Sequence, residues 1–289
     1  MELHQLRYAV AVADTGSFTA AAEHLLVAQS GVSAQVRKLE RELGLTLFER
    51  STRHVRLTPV GERILTRARE ALSAVDAVGE TAAAARGLVI GELRVGTVTG
   101  LGWDPLFDAV AAIHQAHPGV DLRLVEGTSQ DLFAQLRDGG LDLIVAAWAG
   151  RTPEDVSIRM VVEDPLVVVV APGHPWARRA RVQPRELRRT SLICLPPGTG
   201  ARSALDSVAA RDAVEFDVRW EVSTPSFVRR LAARGVGVGV VSATTATGWS
   251  EVAIVPLADP AARSSLGVAW RGTSPSPAVR ALLAQLPDS

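Results

Sequence analysis

The sequence predicts an α/β protein built in three parts: a mainly helical N-terminal segment, one long helix, and a two-part α/β region. Three observations lead there. Residues 1–58 carry helical apolar patterns broken by turn residues, and end in a short ribbon pattern. Residues 59–85 carry one unbroken helical pattern whose apolar positions step by four and three. Beyond Gly87, short apolar runs alternate with helical stretches, the signature of a parallel sheet flanked by helices.

The first helix is expected over Leu3 to Val12, with Leu3, Leu6 and Val10 on one face. "TGS" breaks it, and Ser17 is a good N-cap for a second helix carrying Phe18, Ala21, Ala22 and Leu25. "LLVAQS" is the turn into a third helix, ended by Gly44. There Val32, Val36, Leu39 and Leu43 form the buried stripe. Leu45 to Phe48 and Val55 to Leu57 flank a polar tip with Arg50, Arg53 and His54, which reads as a small β-ribbon. Thr58 can cap the long helix with Pro59 at its first position. Ile64, Ala68, Ala71, Val75, Val78 and Ala82 then form a narrow seam, which favours a contact with a second copy over packing on the same chain.

Composition bounds the function. Across 289 residues the formal net charge is zero, so an argument for nucleic acid must come from local clustering. Cys194 is the single cysteine, which excludes an internal disulfide framework and fits a reducing compartment. No basic-then-apolar leader opens the chain. "PLVVVVAP" (165–172) is far shorter than the roughly 20 residues of a membrane span. A soluble protein, without membrane association, is expected.

The outward face of the third helix is unusual. At about 100° per residue it gathers Ser30, Ser33, Ala34, Arg37, Lys38 and Arg41. Small polar groups come first and cations follow. That order suits a helix-turn-helix, whose second helix puts its N-terminal residues at base edges while cations meet phosphates. From residue 37 to 56 there are six cations (Arg37, Lys38, Arg41, Arg50, Arg53, Arg56) against three acids (Glu40, Glu42, Glu49). A three-helix packing unit with a solvated face satisfies the same pattern.

The stretch "LHQLRYAVAVADTGSFTAAAEHLLVAQSGVSAQVRKLERELGLTLFERSTRHVRLTPVGERIL" resembles the N-terminal domain of LysR-type transcriptional regulators. "GSFTAAAEHL", "QVRKLERELGLTLFER" and "RLTPVGE" carry the likeness most specifically. "HPGVDLRLVEGTSQDL", "LRDGGLDLIVA", "APGHPWA" and "RGVGVGVVS" extend it, more loosely, through the rest of the chain. Ala34 and Ala9 depart from the family's usual long polar reader and phenylalanine. The resemblance implies a winged helix-turn-helix over 1–58 and a linker or dimerisation helix over 59–87. An effector-binding domain would follow over 88–289. That domain would resemble type 2 periplasmic binding proteins, with subdomain I at 88–163 and 267–289 and subdomain II at 164–266.

The expected DNA-contacting set is Gln29, Ser30, Ser33, Ala34, Arg37, Lys38, Arg50 and Arg53. Ile64, Ala68, Ala71, Val75 and Val78 would form the dimer seam. The implied partners are double-stranded operator DNA, a small effector, RNA polymerase, and further copies in a homodimer or homotetramer. The implied place is the bacterial cytoplasm.

Three strand-to-helix junctions are candidates for the effector site. "GTVTGLGW" brings Thr97, Thr99 and Gly100, "GTSQ" brings Thr128, and "PPGTGARS" brings Thr199 and Arg202. Free N–H groups and hydroxyls at helix starts bind anions, so a carboxylate or similar anion is expected. Catalysis is not expected: no nucleophile elbow, phosphate loop or dinucleotide fingerprint occurs. "GVGVG" (235–239) runs from helix to strand, the wrong order for a dinucleotide loop. His114 and His117 lack a third ligand, and neither a metal nor a cofactor is expected. A solute-binding or enzymatic α/β protein without a DNA role is the rival reading.

Overall fold

A computed structural model of the chain describes residues 1–50 and 55–287. It divides into two compact units, Met1–Leu88 with Asp138–Gly140, and Val89–Arg137 with Leu141–Ser289.

The first unit holds α1 (Leu3–Thr15), α2 (Phe18–His24), α3 (Gln29–Leu43), β1 (Phe48–Arg50), β2 (Val55–Leu57) and α4 (Pro59–Ala84). Capping chemistry sets the boundaries. Ser17 Oγ accepts the Ala20 N–H, and Thr58 Oγ1 accepts the Gly61 N–H at 2.9 Å. Gly44 ends α3 in the left-handed conformation, at φ +67°. Ala9, Val12, Ala21, Val32, Val36, Leu39, Leu47 and Leu65 are fully buried in one core. Truncating one such leucine to alanine costs about 2 to 5 kcal/mol. β1 and β2 pair antiparallel, Phe48 against Leu57. Glu40 ties the ribbon to α3, its carboxylate accepting the N–H groups of Leu47 at 2.9 Å and Phe48 at 3.3 Å. It is a structural acid, not a solvated one.

The α4 seam corrects the sequence reading. Gly61, Leu65, Ala68 and Leu72, also spaced by four and three, are the buried row, and the last three pack in the unit's own core. Ala68 therefore belongs to the internal row, and Ile64 packs partly against the same core. Ala71, Val75 and Val78 remain exposed, Val78 by 71%. Arg69 to Asp14 and Arg7 to Asp76 pin the helix to α1.

The second unit is built on a nine-stranded sheet in the order β4-β3-β5-β11-β6-β9-β7-β8, with β10 also on β6. Its strands are β3 (Gly91–Val98), β4 (Val120–Gly127), β5 (Leu143–Trp148), β6 (Ser157–Val170), β7 (Leu192–Cys194), β8 (Val218–Glu221), β9 (Val238–Ser242), β10 (Ala253–Pro256) and β11 (Arg263–Trp270). The helices are α5 (Asp104–Ala116), α6 (Ser129–Arg137), α7 (Gly200–Arg211), α8 (Pro225–Ala233) and α9 (Pro277–Gln285). In the first subdomain β3 pairs parallel with β4 and β5; in the second β7 pairs parallel with β8 and β9.

Two long strands join the subdomains. β6 pairs with β11 up to Pro165, then with β9 and β10 over Leu166 to Val170. Within that run Leu166, Val168 and Val170 face the α7 core while Val167 and Val169 face the α8 core, the period-two alternation of a doubly covered strand. The chain returns at Arg263, which faces Pro165 in the ladder. The subdomain boundary expected at 266/267 falls inside β11, at its bulge between Leu266 and Gly267.

Candidate nucleic-acid interface and effector cleft

In the first unit α3 buries Val32, Val36 and Leu39 and exposes Gln29, Ser30, Ala34, Arg37, Lys38 and Arg41. Ser33 corrects the expectation. It is only 8% exposed, so its hydroxyl sits at the edge of the helix packing rather than projecting as a free reader. Arg37 and Arg41 make no ion pair among the described residues, and Lys38 stands a loose 4.0 Å from Glu42. Those cations are open to phosphates. Arg53 and the side chain of Arg50 lie outside the described residues. At the chain start the Met1 ammonium holds the Glu42 carboxyl below its ordinary pKa.

In the second unit the strand-to-helix junctions of the two subdomains meet. The Gln130 N–H donates to Gly198 O at 3.1 Å. A Cβ at Gly198 would lie 2.9 Å from Gln130 Cβ and 3.4 Å from Thr128 Oγ1, and one at Gly100 would lie 2.9 Å from Pro225 Cδ. A Cβ at Gly200 would come within 2.5 Å of Ala147 Cβ, so only glycine lets α7 start this close to β5. Gly100, Thr128, Thr199 and the Thr224–Pro225 start of α8 thus border one cleft. Sequence reasoning missed the fourth junction, although Thr followed by Pro after a strand is a legible helix start.

Several expected ligand groups are already engaged. Thr128 Oγ1 donates to Asp131 at 2.7 Å and accepts the Asp131 N–H at 3.2 Å, so it caps α6. The Gly100 N–H donates to Glu126 at 3.2 Å. Arg202 does not stand free in the cleft: it binds Asp206 at 2.9 Å and lies 3.4 Å from Glu221 and from Leu195 O. Thr97 is 1% exposed, with its hydroxyl unpartnered in the interior of the first subdomain. Thr99 is half-buried with its hydroxyl unengaged.

The cleft is electrostatically asymmetric. On the first subdomain, α5 and α6 carry Asp104 and Asp131 in their first turns. On the second, α7 and α8 carry no acid there, and their caps Thr199 and Thr224 accept no helix N–H. An anionic group is therefore repelled at the first pair of helix starts and favoured at the second. Cys194, behind the start of α7, is 1% exposed, and burial pushes its thiol up to about 12. No cluster of metal-ligating side chains occurs among the described residues.

The family described as "Bacterial regulatory helix-turn-helix protein, lysR family" matches residues 3–62, and "LysR substrate binding domain" matches residues 86–289. The chain belongs to the LysR family of transcriptional regulators. As a LysR-type regulator it is a DNA-binding protein with an effector-binding domain, and not an enzyme. It is similar to the transcriptional activator CmpR of Synechocystis sp., 30% identical over 243 residues, 83% of this chain and 78% of that protein. The dual regulator OxyR of Escherichia coli is 28% identical over 278 residues, 95% of this chain and 91% of that protein. A hydrogen peroxide-inducible genes activator of Pectobacterium carotovorum is 27% identical over 292 residues, covering 100% of this chain and 95% of that protein. A full-length OxyR variant from Pseudomonas aeruginosa shares the fold at a TM-score of 0.76 and 31% identity, over 99% of this chain and 94% of that one. Among the described residues no helix is long and apolar enough to cross a membrane.

Proposed function

We propose that this LysR-type regulator reads a palindromic operator with α3 and the ribbon, dimerises through the exposed face of α4, and answers a small effector bearing an anionic group. Gln29, Ser30 and Ala34 approach base edges, while Arg37, Lys38, Arg50 and Arg53 neutralise phosphates on either side. RNA polymerase is the downstream partner and the bacterial cytoplasm the place of action.

The dimer reading rests on uncovered apolar surface. An open hollow of about 690 Å³ runs along Met1, Leu43, Leu45, Val60, Ile64 and Ala71. Val75 and Val78 extend it along the helix, the seam a second copy of α4 would fill. In the second unit Leu124 and Val125 on edge strand β4 and Trp220 on edge strand β8 are also exposed, as sheet edges awaiting cover are.

The observation that carries the effector reading is the asymmetric cleft. Its ligand has an anionic end against the starts of α7 and α8, and a hydrogen-bond donor end towards Glu126 and Asp131. A hydroxy acid or amino acid has that form. The response does not run through thiol oxidation, although OxyR proteins are among the relatives. Only a thiolate attacks peroxide efficiently, and the sole cysteine is buried with a thiol titrating at about 12.

The test is operator binding by the full chain across a salt series, with and without candidate carboxylates. Affinity should fall steeply with salt, and Arg37→Ala should reduce that slope. A carboxylate should shift binding, and Cys194→Ala should retain the shift. Salt-independent binding would overturn the DNA face, and a response lost in Cys194→Ala would overturn the effector reading.

A further inference from the structure

The second subdomain carries an open hollow of about 840 Å³, lined by His174, Trp176, Arg185, Arg188 and Arg189, with the acid Glu186 also on its wall. None of these residues borders the effector cleft. Residues 174–190 hold six arginines and one acid, Glu186, in a chain of zero net charge. That acid is committed: Arg179 donates to it twice, at 2.7 and 3.0 Å, and the Gln183 N–H donates at 2.9 Å.

Arg178, Arg181, Arg185, Arg188 and Arg189 are left exposed and make no ion pair among the described residues, although Arg185 adds a weaker attraction to the neighbouring Glu186. What sets them apart is density: five such arginines fall within the twelve residues 178–189, whereas Arg94, Arg137, Arg202, Arg211 and Arg229 elsewhere in the unit each have a carboxylate partner. Arg185 and Arg188 stand three apart on a 3-10 turn (Pro184–Arg189), and that spacing stacks them on one side. Neighbouring guanidiniums repel unless an anion lies between them.

The wall of the hollow is aromatic. Trp176 is half-buried against the subdomain core, and the His174 ring meets it edge-on at 5.2 Å. His174 Nδ1 accepts the Trp176 N–H at 3.1 Å, which fixes the tautomer with its proton on Nε2. A DNA backbone asks for a stripe of cations along an open face. A hollow of this volume with an aromatic wall instead suits a compact ligand.

We propose that this hollow binds a small polyphosphate anion. Its phosphates lie on the forked donors of Arg185, Arg188 and Arg189, and an attached ring lies against Trp176. The site is separate from the effector cleft, so its fate does not depend on the effector reading.

The test is calorimetric and fluorescence titration of the full-length protein, without DNA, using tripolyphosphate and ATP at moderate salt. Both should bind, and ATP should quench a fluorescence component that Trp176→Phe removes. Arg188→Ala with Arg189→Ala should weaken both probes by about tenfold or more, two charged contacts being lost. Arg37→Ala, on the recognition helix, should leave them unchanged. The altered arginines are exposed, so an unchanged melting curve should accompany the loss; the paired glutamine variants must give the same result.

The proposal falls if neither probe binds at millimolar concentration, or if the double variant binds them as wild type does. It falls equally if Arg37→Ala removes the binding, which would place the anions on the DNA-reading face. If the double variant leaves the probes bound but lowers operator affinity and its salt slope, the arginines are a DNA contact.

Discussion

The Trp148 indole lies against the backbone of Gly267. A Cβ at Gly267 would stand 2.8 Å from Cη2 of that ring and 2.9 Å from Arg159 O. Gly267 sits at the bulge of the β6–β11 pairing, on one of the two strands the subdomains share. Trp148 is held in turn by Phe133, edge-on at 6.0 Å. Gly267→Ala should therefore overpack this point and cost about 1 to 3 kcal/mol, lowering Tm by several degrees. Thermal melts of the full chain check it, and an unchanged Tm would mean that the ring yields freely.

The two faces of α4 should separate experimentally. Val75→Glu and Val78→Glu place charges on exposed positions and should give folded monomers with weakened binding to a palindrome. Ala68→Glu places an unpaired charge at a 4% exposed position and should unfold the first unit instead. Sedimentation and circular dichroism on the three variants distinguish these outcomes. An unchanged oligomer in both valine variants would show that the exposed row is not the seam.

Thr128 and Thr99 should behave differently although both border the cleft. Thr128→Val removes the cap of α6 and should cost about 1 kcal/mol of stability, with effector or without. Thr99→Val removes an unengaged hydroxyl and should leave Tm near wild type while weakening effector binding about tenfold. Tryptophan fluorescence titration with an active carboxylate measures the second effect, because Trp103 and Trp148 flank the junctions. Wild-type affinity in Thr99→Val would remove that hydroxyl from the site.

Acid should loosen the second unit at Asp259. The Arg211 guanidinium, 2.6 Å away, holds this carboxyl below its ordinary pKa, opposed by burial and helped by the Ala261 N–H. A carboxyl with a depressed folded-state pKa adds stability that is complete above its unfolded pKa of about 3.9 and is lost as pH falls below it. Asp259→Asn should thus flatten the pH dependence of Tm below about pH 4 and leave its shape above pH 5 unchanged. An identical acid limb in the variant would place the titration elsewhere.

The helices of the first unit were legible because each carries its own punctuation: Ser17, Gly44, and Thr58 with Pro59. The split of α4 into two faces was not. Leu65 and Leu72 follow the same four-three spacing as the expected seam, and spacing alone cannot say which of two neighbouring rows meets its own chain. That strand-to-helix junctions of both subdomains come together was foreshadowed by recurring Thr and Gly after strands. The engagement of Thr128 by Asp131 and of Arg202 by Asp206 and Glu221 was not. The Thr128–Asp131 and Arg202–Asp206 pairs lie three and four residues apart on a helix, where a polar side chain can serve the helix or a ligand equally well. Glu221, nineteen residues on at the end of β8, meets Arg202 only through the tertiary fold.

Pro165 and Arg263 face each other across one ladder spacing, roughly 5 Å. Everything between them, four strands of its own and two helices with their cores, enters and leaves the first subdomain through that one pair of strands. In genetic terms it is a cassette: a two-residue turn such as Asn-Gly can bridge the cut ends, because β6 and β11 already run antiparallel there. The host half retains α5, α6 and α9 with their packing. The guest half brings the starts of α7 and α8, where the proposed anionic end of the effector would sit, together with the arginine hollow. A regulator built this way can change what it senses by exchanging one contiguous block of coding sequence, while the segment that reads DNA is left untouched.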